Sequence, residues 1–200
     1  MLKQIGTFLD VAVALVAAGC AQPPQAEIDA ASAAMAKATA AGAEEYAPEA
    51  LAAVRDAQAK LDAELKTQSG AFALMRSYGE ATKLAAAAAE AGEKAATAAV
   101  EGKQAAQKDA AAALESTRTA IKDAETALAS APKGKGSKAD LDALNADLGA
   151  ARTGLGEAET AQNGERYKDA KAKADAAREK AASVKTAIDQ AVQARKGAAR

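Results

Sequence analysis

The side chains able to do covalent or acid–base chemistry are few. Among 200 residues there is one thiol, Cys20, no His and no Trp, and the aromatics beyond the first twenty residues are Tyr46, Phe72, Tyr78 and Tyr167. One Cys and no His exclude an intrachain disulfide, a His-bearing or multi-Cys metal site and any mechanism with His as base. Carboxylates are plentiful, and Glu44-Glu45-x-x-x-Glu49 is the densest group. General acid–base work needs carboxylates with divergent environments in a desolvated cleft. These three lie where a helix begins, a place where solvated negative charge suits the helix dipole. No catalytic residue is assigned, and the chain reads as non-enzymatic. Gly134-Lys135-Gly136-Ser137 lacks the spacing and the preceding strand of a phosphate-binding loop. Tyr46, Tyr78 and Tyr167 are candidate partner contacts. The competing reading packs each ring at a helix end over small Ala residues, and that reading is the stronger one.

The elements that must carry these residues are helices. Ala occurs 65 times, and only 33 residues are Leu, Ile, Val, Met, Phe or Tyr, nine of them before Cys20. So little side-chain volume cannot fill a large interlocking core. From Ala26 onward the composition of Ala, Glu, Lys, Asp, Arg and Leu is that of strong helix formers. The predicted fold is all-α: an elongated antiparallel bundle of helical hairpins with Ala-rich, coiled-coil-like seams.

Five helical segments are expected. The first, about 26–41, carries Ile28, Ala31, Met35 and Ala38 on one face and is capped near Gly42. The second starts at Pro48, suited to a first helical turn, and runs to about Lys66 with Leu51, Val54, Ala57, Leu61 and Leu65 as its stripe. Gln68-Ser69-Gly70 reads as a turn. The third spans about 71–130, with Gly79, Gly92 and Gly102 as places to bend, and Leu114, Ile121 and Leu128 recur every seven residues between Ala110 and Ala124. Residues 132–136, Pro-Lys-Gly-Lys-Gly, form a linker. The fourth helix opens with the capping pattern Ser137-x-x-Asp140 and carries Leu141, Leu144, Leu148, Ala151, Leu155 and Ala158 up to a turn at Asn163-Gly164. The fifth repeats apolar residues at alternating steps of three and four: Tyr167, Ala170, Ala174, Ala177, Ala181, Val184, Ile188 and Ala191.

Ahead of the helices, residues 1–19 have the anatomy of a secretory signal. Lys3 is followed by the apolar run from Val11 to Ala18, and Ala17-Ala18-Gly19 places three small residues before Cys20. The stretch resembles a bacterial lipoprotein signal. That resemblance implies cleavage after Gly19, covalent lipid on Cys20, no other cofactor, and, with Ala21 next, sorting to the outer membrane facing the periplasm. Two or more acyl chains make a stable anchor where one holds only marginally. Residues 20–25 would then be the lipidated Cys and a short Pro-bearing tether. The alternative is an uncleaved amphipathic helix with a buried free thiol.

The chain also echoes itself. Val54, Ala57 and Leu61 match Leu148, Ala151 and Leu155, and each set leads through a polar turn to Tyr78-x-x-Ala81 or Tyr167-x-x-Ala170. Ala85 and Ala88 then answer Ala174 and Ala177. Ala26-Glu-Ile-Asp-Ala30, Gly42-Ala43, Tyr46-Ala47-Pro48, Leu51 and Tyr78-x-x-Ala81 resemble a family of uncharacterised Ala-rich bacterial lipoprotein domains over residues 26–100. The resemblance implies a periplasmic helical lipoprotein and carries no activity with it. The organisation expected is a 26–131 helical domain, the linker, and a second hairpin at 137–200.

Charge is uneven. Residues 20–131 hold 11 basic and 16 acidic side chains, whereas residues 164–200 hold 10 and 5. The near-neutral sum argues against nucleic acid, and nothing points to a small-molecule substrate. The last helix could face an acidic partner or anionic headgroups, pack on the acidic half, or simply be solvated. Arg200 is not the terminal Lys that covalent attachment to peptidoglycan needs. The function expected is a structural or adaptor module of the envelope, held by lipid and meeting a periplasmic protein partner. A binding or chaperone-like module with an apolar groove, or a stress-type protein partly disordered alone, are the alternatives.

Overall fold

A computed structural model describes residues 21–131 and 137–198. Residues 1–20, with the expected leader, Ala17, Ala18, Gly19 and Cys20, residues 132–136, the Ser137 side chain and Arg200 lie outside the described residues. The described chain is all-α: six helices packed against one another, with no strand among the described residues. They are α1 (Gln25–Ala40), α2 (Ala43–Tyr46), α3 (Pro48–Gly70), α4 (Gly79–Ala129), α5 (Ser137–Asn163) and α6 (Tyr167–Ala198).

The 51-residue α4 is the spine, about 76 Å long at 1.5 Å per residue. Its first half packs against α1 and α3, its second half against α5 and α6. Contacts fix the directions. Ala34 meets Gly92 and Lys37 bonds Glu93, so α1 runs parallel to α4. Leu51 lies in the cluster with Ala99, whereas Leu61 lies with Tyr78 and Ala81, so α3 is antiparallel. In the second half Arg152 meets Glu125 and Arg118 meets Glu159, making α5 antiparallel. Thr117 bonds Ala174 and Tyr167 packs with Ala110, making α6 parallel. The internal echo is therefore three helices deep. The second half of α4 does for α5 and α6 what α1 does for α3 and the first half of α4.

The seams are made of the expected positions. Tyr167, Ala170, Ala174, Ala177, Ala181, Val184 and Ile188 are all buried on α6. The stripe then shifts: Ala191 is exposed and Val192 half-buried against the Ile121–Leu148–Ile188 cluster. Gly42 caps α1 as expected, at φ 83°, a left-handed conformation that Gly adopts without steric cost. Thr117, wholly buried, shares its one hydroxyl proton between the Ala113 and Ala174 carbonyls, 2.7 and 2.8 Å away, and ties α4 to α6. Such a bond is worth about 1 kcal/mol net. The interhelix ion pairs among the described residues (Lys37–Glu93, Arg55–Glu44, Arg118–Glu159, Arg152–Glu125, Lys173–Glu157) all join side chains with substantial solvent exposure, and pairs of that kind contribute about 0–1 kcal/mol each.

Other expectations need correcting: the short α2 makes six helices among the described residues where five were expected. Gln68-Ser69-Gly70 is not the turn; α3 continues through Gly70, and α4 begins at Gly79 rather than Ala71. The connection is residues 71–78 with a 3-10 turn at Ala73–Met75. Side chains hold it open: Arg76 donates to the Ala71 and Ser69 carbonyls, both at 3.0 Å, and Gln68 Oε1 accepts from the Ser77 amide at 2.9 Å. The glycines of α4 do not interrupt it either, since the helix is continuous from Gly79 to Ala129. Gly92 and Gly102 are contact points. A Cβ on Gly92 would sit 2.7 Å from the Ala34 Cβ and 2.8 Å from its carbonyl carbon.

Helix propensity and packing oppose each other at Gly92. Ala in place of Gly gains about 1 kcal/mol in an open helix, but crowding a packed seam costs about 1–3 kcal/mol. Gly92→Ala should therefore lower the denaturation free energy by up to about 2 kcal/mol. Gly156→Ala, with nothing within 4 Å of the added atom, should raise it by up to about 1 kcal/mol. Urea titration of both variants checks this; equal stabilisation of the two would refute the tight α1–α4 contact.

Candidate functional site

The polar interactions of greatest sequence separation converge at the waist of the spine. The Tyr46-Ala47-Pro48 joint between α2 and α3 there faces the α5–α6 turn. Each side is built by local rules. Pro48 occupies the first turn of α3, and the preceding Ala47 lies outside the helical region at φ −145° and ψ 53°. On the other side α5 ends in a paired-bond cap: the Arg166 amide bonds the Ala161 carbonyl and the Glu165 amide the Gln162 carbonyl. The residue in the left-handed conformation is Glu165, at φ 59°, one position after the glycine of the expected turn. It is the one non-glycine residue with positive φ among the described residues.

Between them runs α4. A Cβ on Gly102 would lie 2.4 Å from the Tyr46 carbonyl oxygen, so only glycine lets the joint settle on the spine. The Tyr46 hydroxyl donates to the Glu165 carbonyl at 3.3 Å. The Lys168 ammonium stands 5.6 Å from the Tyr46 ring centre and donates to the Glu45 carbonyl, a geometry in which the ring face attracts the cation. Lys103 of α4 pairs with the Glu165 carboxylate at 2.6 Å. Nearby, Gln162 Oε1 is buried without a partner. Burial, and then the neighbouring Glu45 carboxylate, raise the Tyr46 phenol above its ordinary value. The hydrogen bond to Lys103 lowers the Glu165 carboxyl, and the hydrogen bond to Glu165 raises the Lys103 ammonium. The Glu165 contribution is thus present above the ordinary carboxyl value and is lost as pH falls through its depressed one.

The structure brings Tyr46 and Tyr167 together and leaves Tyr78 apart. Tyr167, 7% exposed, packs with Ala110, Ala161 and Ala170, and the half-buried Tyr46 lies against the same cluster. Tyr78, 9% exposed, closes the other end of the first unit over Leu61, with Ile28 and Leu65 beside it. Two of the three rings are thus taken up by internal packing, and Tyr46 keeps an outward edge. Glu44, Glu45 and Glu49 are exposed; Glu44 pairs with Arg55 at 3.0 Å, and Glu49 lines a shallow surface depression with Tyr46, Pro48 and Ala98. Among the described residues, no group of three or more acidic, His or Cys side chains is placed to hold a metal ion. No described helix is long and apolar enough to cross a membrane. Sequence reasoning did not single out Lys103, Glu165 or Lys168; their partners lie 62 to 123 residues away, beyond any local pattern. No protein-family model matches the chain, and neither a curated protein nor a solved structure matches it.

The waist makes two predictions. A non-glycine residue in the left-handed region costs about 1–2 kcal/mol, and an exposed ion pair returns about 0–1 kcal/mol. Glu165→Gly should then raise the thermal midpoint and Glu165→Ala lower it; a Glu165→Gly midpoint below that of the wild type would mean that the carboxylate outweighs the strain. The Tyr46 phenol should ionise above 10.0, read as the ultraviolet difference between wild type and Tyr46→Phe along an alkaline titration. A difference centred at or below 10.0 would contradict the partial burial of Tyr46 and the influence of Glu45 beside it.

Proposed function

We propose that the protein is a lipid-anchored module of the bacterial envelope, non-enzymatic, whose helical bundle is a structural or adaptor element for a periplasmic protein partner. The observation that carries this reading is the position of Cys20. The only thiol follows Ala17-Ala18-Gly19 and stands five residues before α1 begins. A leader removed at that point would leave the acylated Cys joined by Ala21-Gln22-Pro23-Pro24 to the bundle. The residue after the Cys favours the outer membrane on the sorting rule of enterobacterial lipoproteins. The resemblance of residues 26–100 to Ala-rich lipoprotein domains supports the same compartment.

The mechanism is tethering and presentation. Lipid fixes the α1 end, and the spine carries the second unit, with its basic α6, along a helix of about 76 Å. Contacts to a partner fall to the charged faces and to the outward edge of Tyr46. The chaperone-like alternative calls for an apolar groove between the hairpins. The large apolar side chains exposed among the described residues are instead Phe72, Leu74 and Met75 on one loop and Val100 on α4.

The test is intact mass and membrane fractionation of the protein expressed from its full-length gene in a Gram-negative host, beside Cys20→Ala. The expected product lacks residues 1–19, carries acyl mass and sediments with outer membrane, and Cys20→Ala loses both the mass and the sedimentation. A full-length, soluble chain with a free thiol would sink the proposal.

A further inference from the structure

The α3–α4 connection breaks the burial pattern of the whole molecule. The seams bury or half-bury nearly every large apolar side chain, yet Phe72, Leu74 and Met75 are 71%, 86% and 79% exposed within four consecutive residues. The loop is held in this form. Arg76 ties its two ends through the Ser69 and Ala71 carbonyls, Gln68 fixes the Ser77 amide, and the Met75 amide bonds the Phe72 carbonyl at 2.8 Å. These backbone groups are engaged internally, which lowers the cost of taking them out of water.

Where the loop stands identifies its occupant. Pro23, Gln25 and Ile28 line one surface depression together with Leu65, Ser69 and Tyr78. The start of α1 and the base of the loop are therefore neighbours at one end of the bundle. Five residue steps separate Gln25 from Cys20, about 17 Å at full extension. Whatever holds Cys20 at a bilayer holds this loop within reach of the same bilayer. Single exposed apolar residues are ordinary on a protein surface, but a contiguous cluster marks an interaction site.

We propose that Phe72, Leu74 and Met75 form a second membrane contact, inserting among the lipids of the bilayer that anchors the chain. The proposal rests on the anchor reading for its geometry. Two attachments at one end set the orientation of the bundle, because a flexible lipid tether alone leaves the protein free to swing.

The chain contains no Trp, so Phe72→Trp puts a single indole at the loop and Val100→Trp puts one on the exposed face of α4. Both positions are open to solvent, and helical circular dichroism verifies that each variant is folded. The two proteins are made from the full-length gene and placed in phosphatidylethanolamine–phosphatidylglycerol vesicles with brominated acyl chains. The expected result for Phe72→Trp is a blue-shifted emission quenched at least twofold. The indole of Val100→Trp stays unquenched, and adding Leu74→Ser and Met75→Ser to Phe72→Trp abolishes the quenching at the loop. Equal quenching in both variants, or none in Phe72→Trp, overturns the proposal. So does a blue-shifted emission of Phe72→Trp before vesicles are added, which would mean that protein covers the loop. Intact mass of the same samples separates the two readings. Acylated protein with an unquenched loop indole removes the loop contact and leaves the anchor. Unacylated protein with a quenched loop indole removes the anchor and leaves the loop contact.

Discussion

Close approach between helices of very small side chains is the constraint on which this fold depends. Ala81, Ala85, Ala88, Gly92, Ala95 and Ala99 form one face of the spine, and Ala31, Ala34 and Ala38 meet it from α1. Side chains of this size bury little area, and a buried Leu or Val is worth about 1.5–3 kcal/mol where an Ala is worth less. Cohesion must then come from bringing the backbones themselves near one another, so that many weak dispersion contacts accumulate. Gly92 and Gly102 are where that approach is tightest. The sparse larger residues have a different task. Leu51, Val54, Leu148 and Val184 are essentially inaccessible, and a misplaced register would pull them out of the only spaces that admit them.

The waist shows how such a seam is joined to polar chemistry. Ala tolerates sliding, because one methyl group fits nearly as well as the next. The turn at Glu165 and the joint at Tyr46 do not slide: hydroxyl, ammonium and carboxylate each have one partner there. None of these bonds is strong, and the strained backbone at Glu165 offsets part of what they contribute. Together they set which residues of the two units face each other, a kind of information that an alanine surface lacks.

Much of the fold was legible in the residues. The three-four spacing of α6 and the stripes of α1, α3 and α5 pick out the buried faces, and Gly42 and Pro48 mark a cap and a start, because helix periodicity and capping are local physics. What was hidden depended on distant partners. The run Gln68-Ser69-Gly70 has turn composition, but Gln68 and Arg76 use their side chains to place the turn later. Gly92 looks like a weak point until Ala34 is seen against it. That the spine serves both units was invisible, since the alanines on its second half read the same whichever helix covers them. At the waist, Tyr46 and Tyr167 were marked by type alone, and their proximity across 121 positions has no trace in local spacing.

A continuous α4 also changes how the two units can come apart. In most tandem arrays neighbouring units meet across an interface of side chains, and each can open while the next stays folded. Here the same hydrogen-bond ladder runs through both units, unbroken from Gly79 to Ala129. Once one half of that ladder has formed, the other extends an existing helix and avoids the costly first turn. Tension applied along the molecule would travel through the peptide groups of α4 rather than through a linker. The two units are thus coupled mechanically and in folding by one shared backbone.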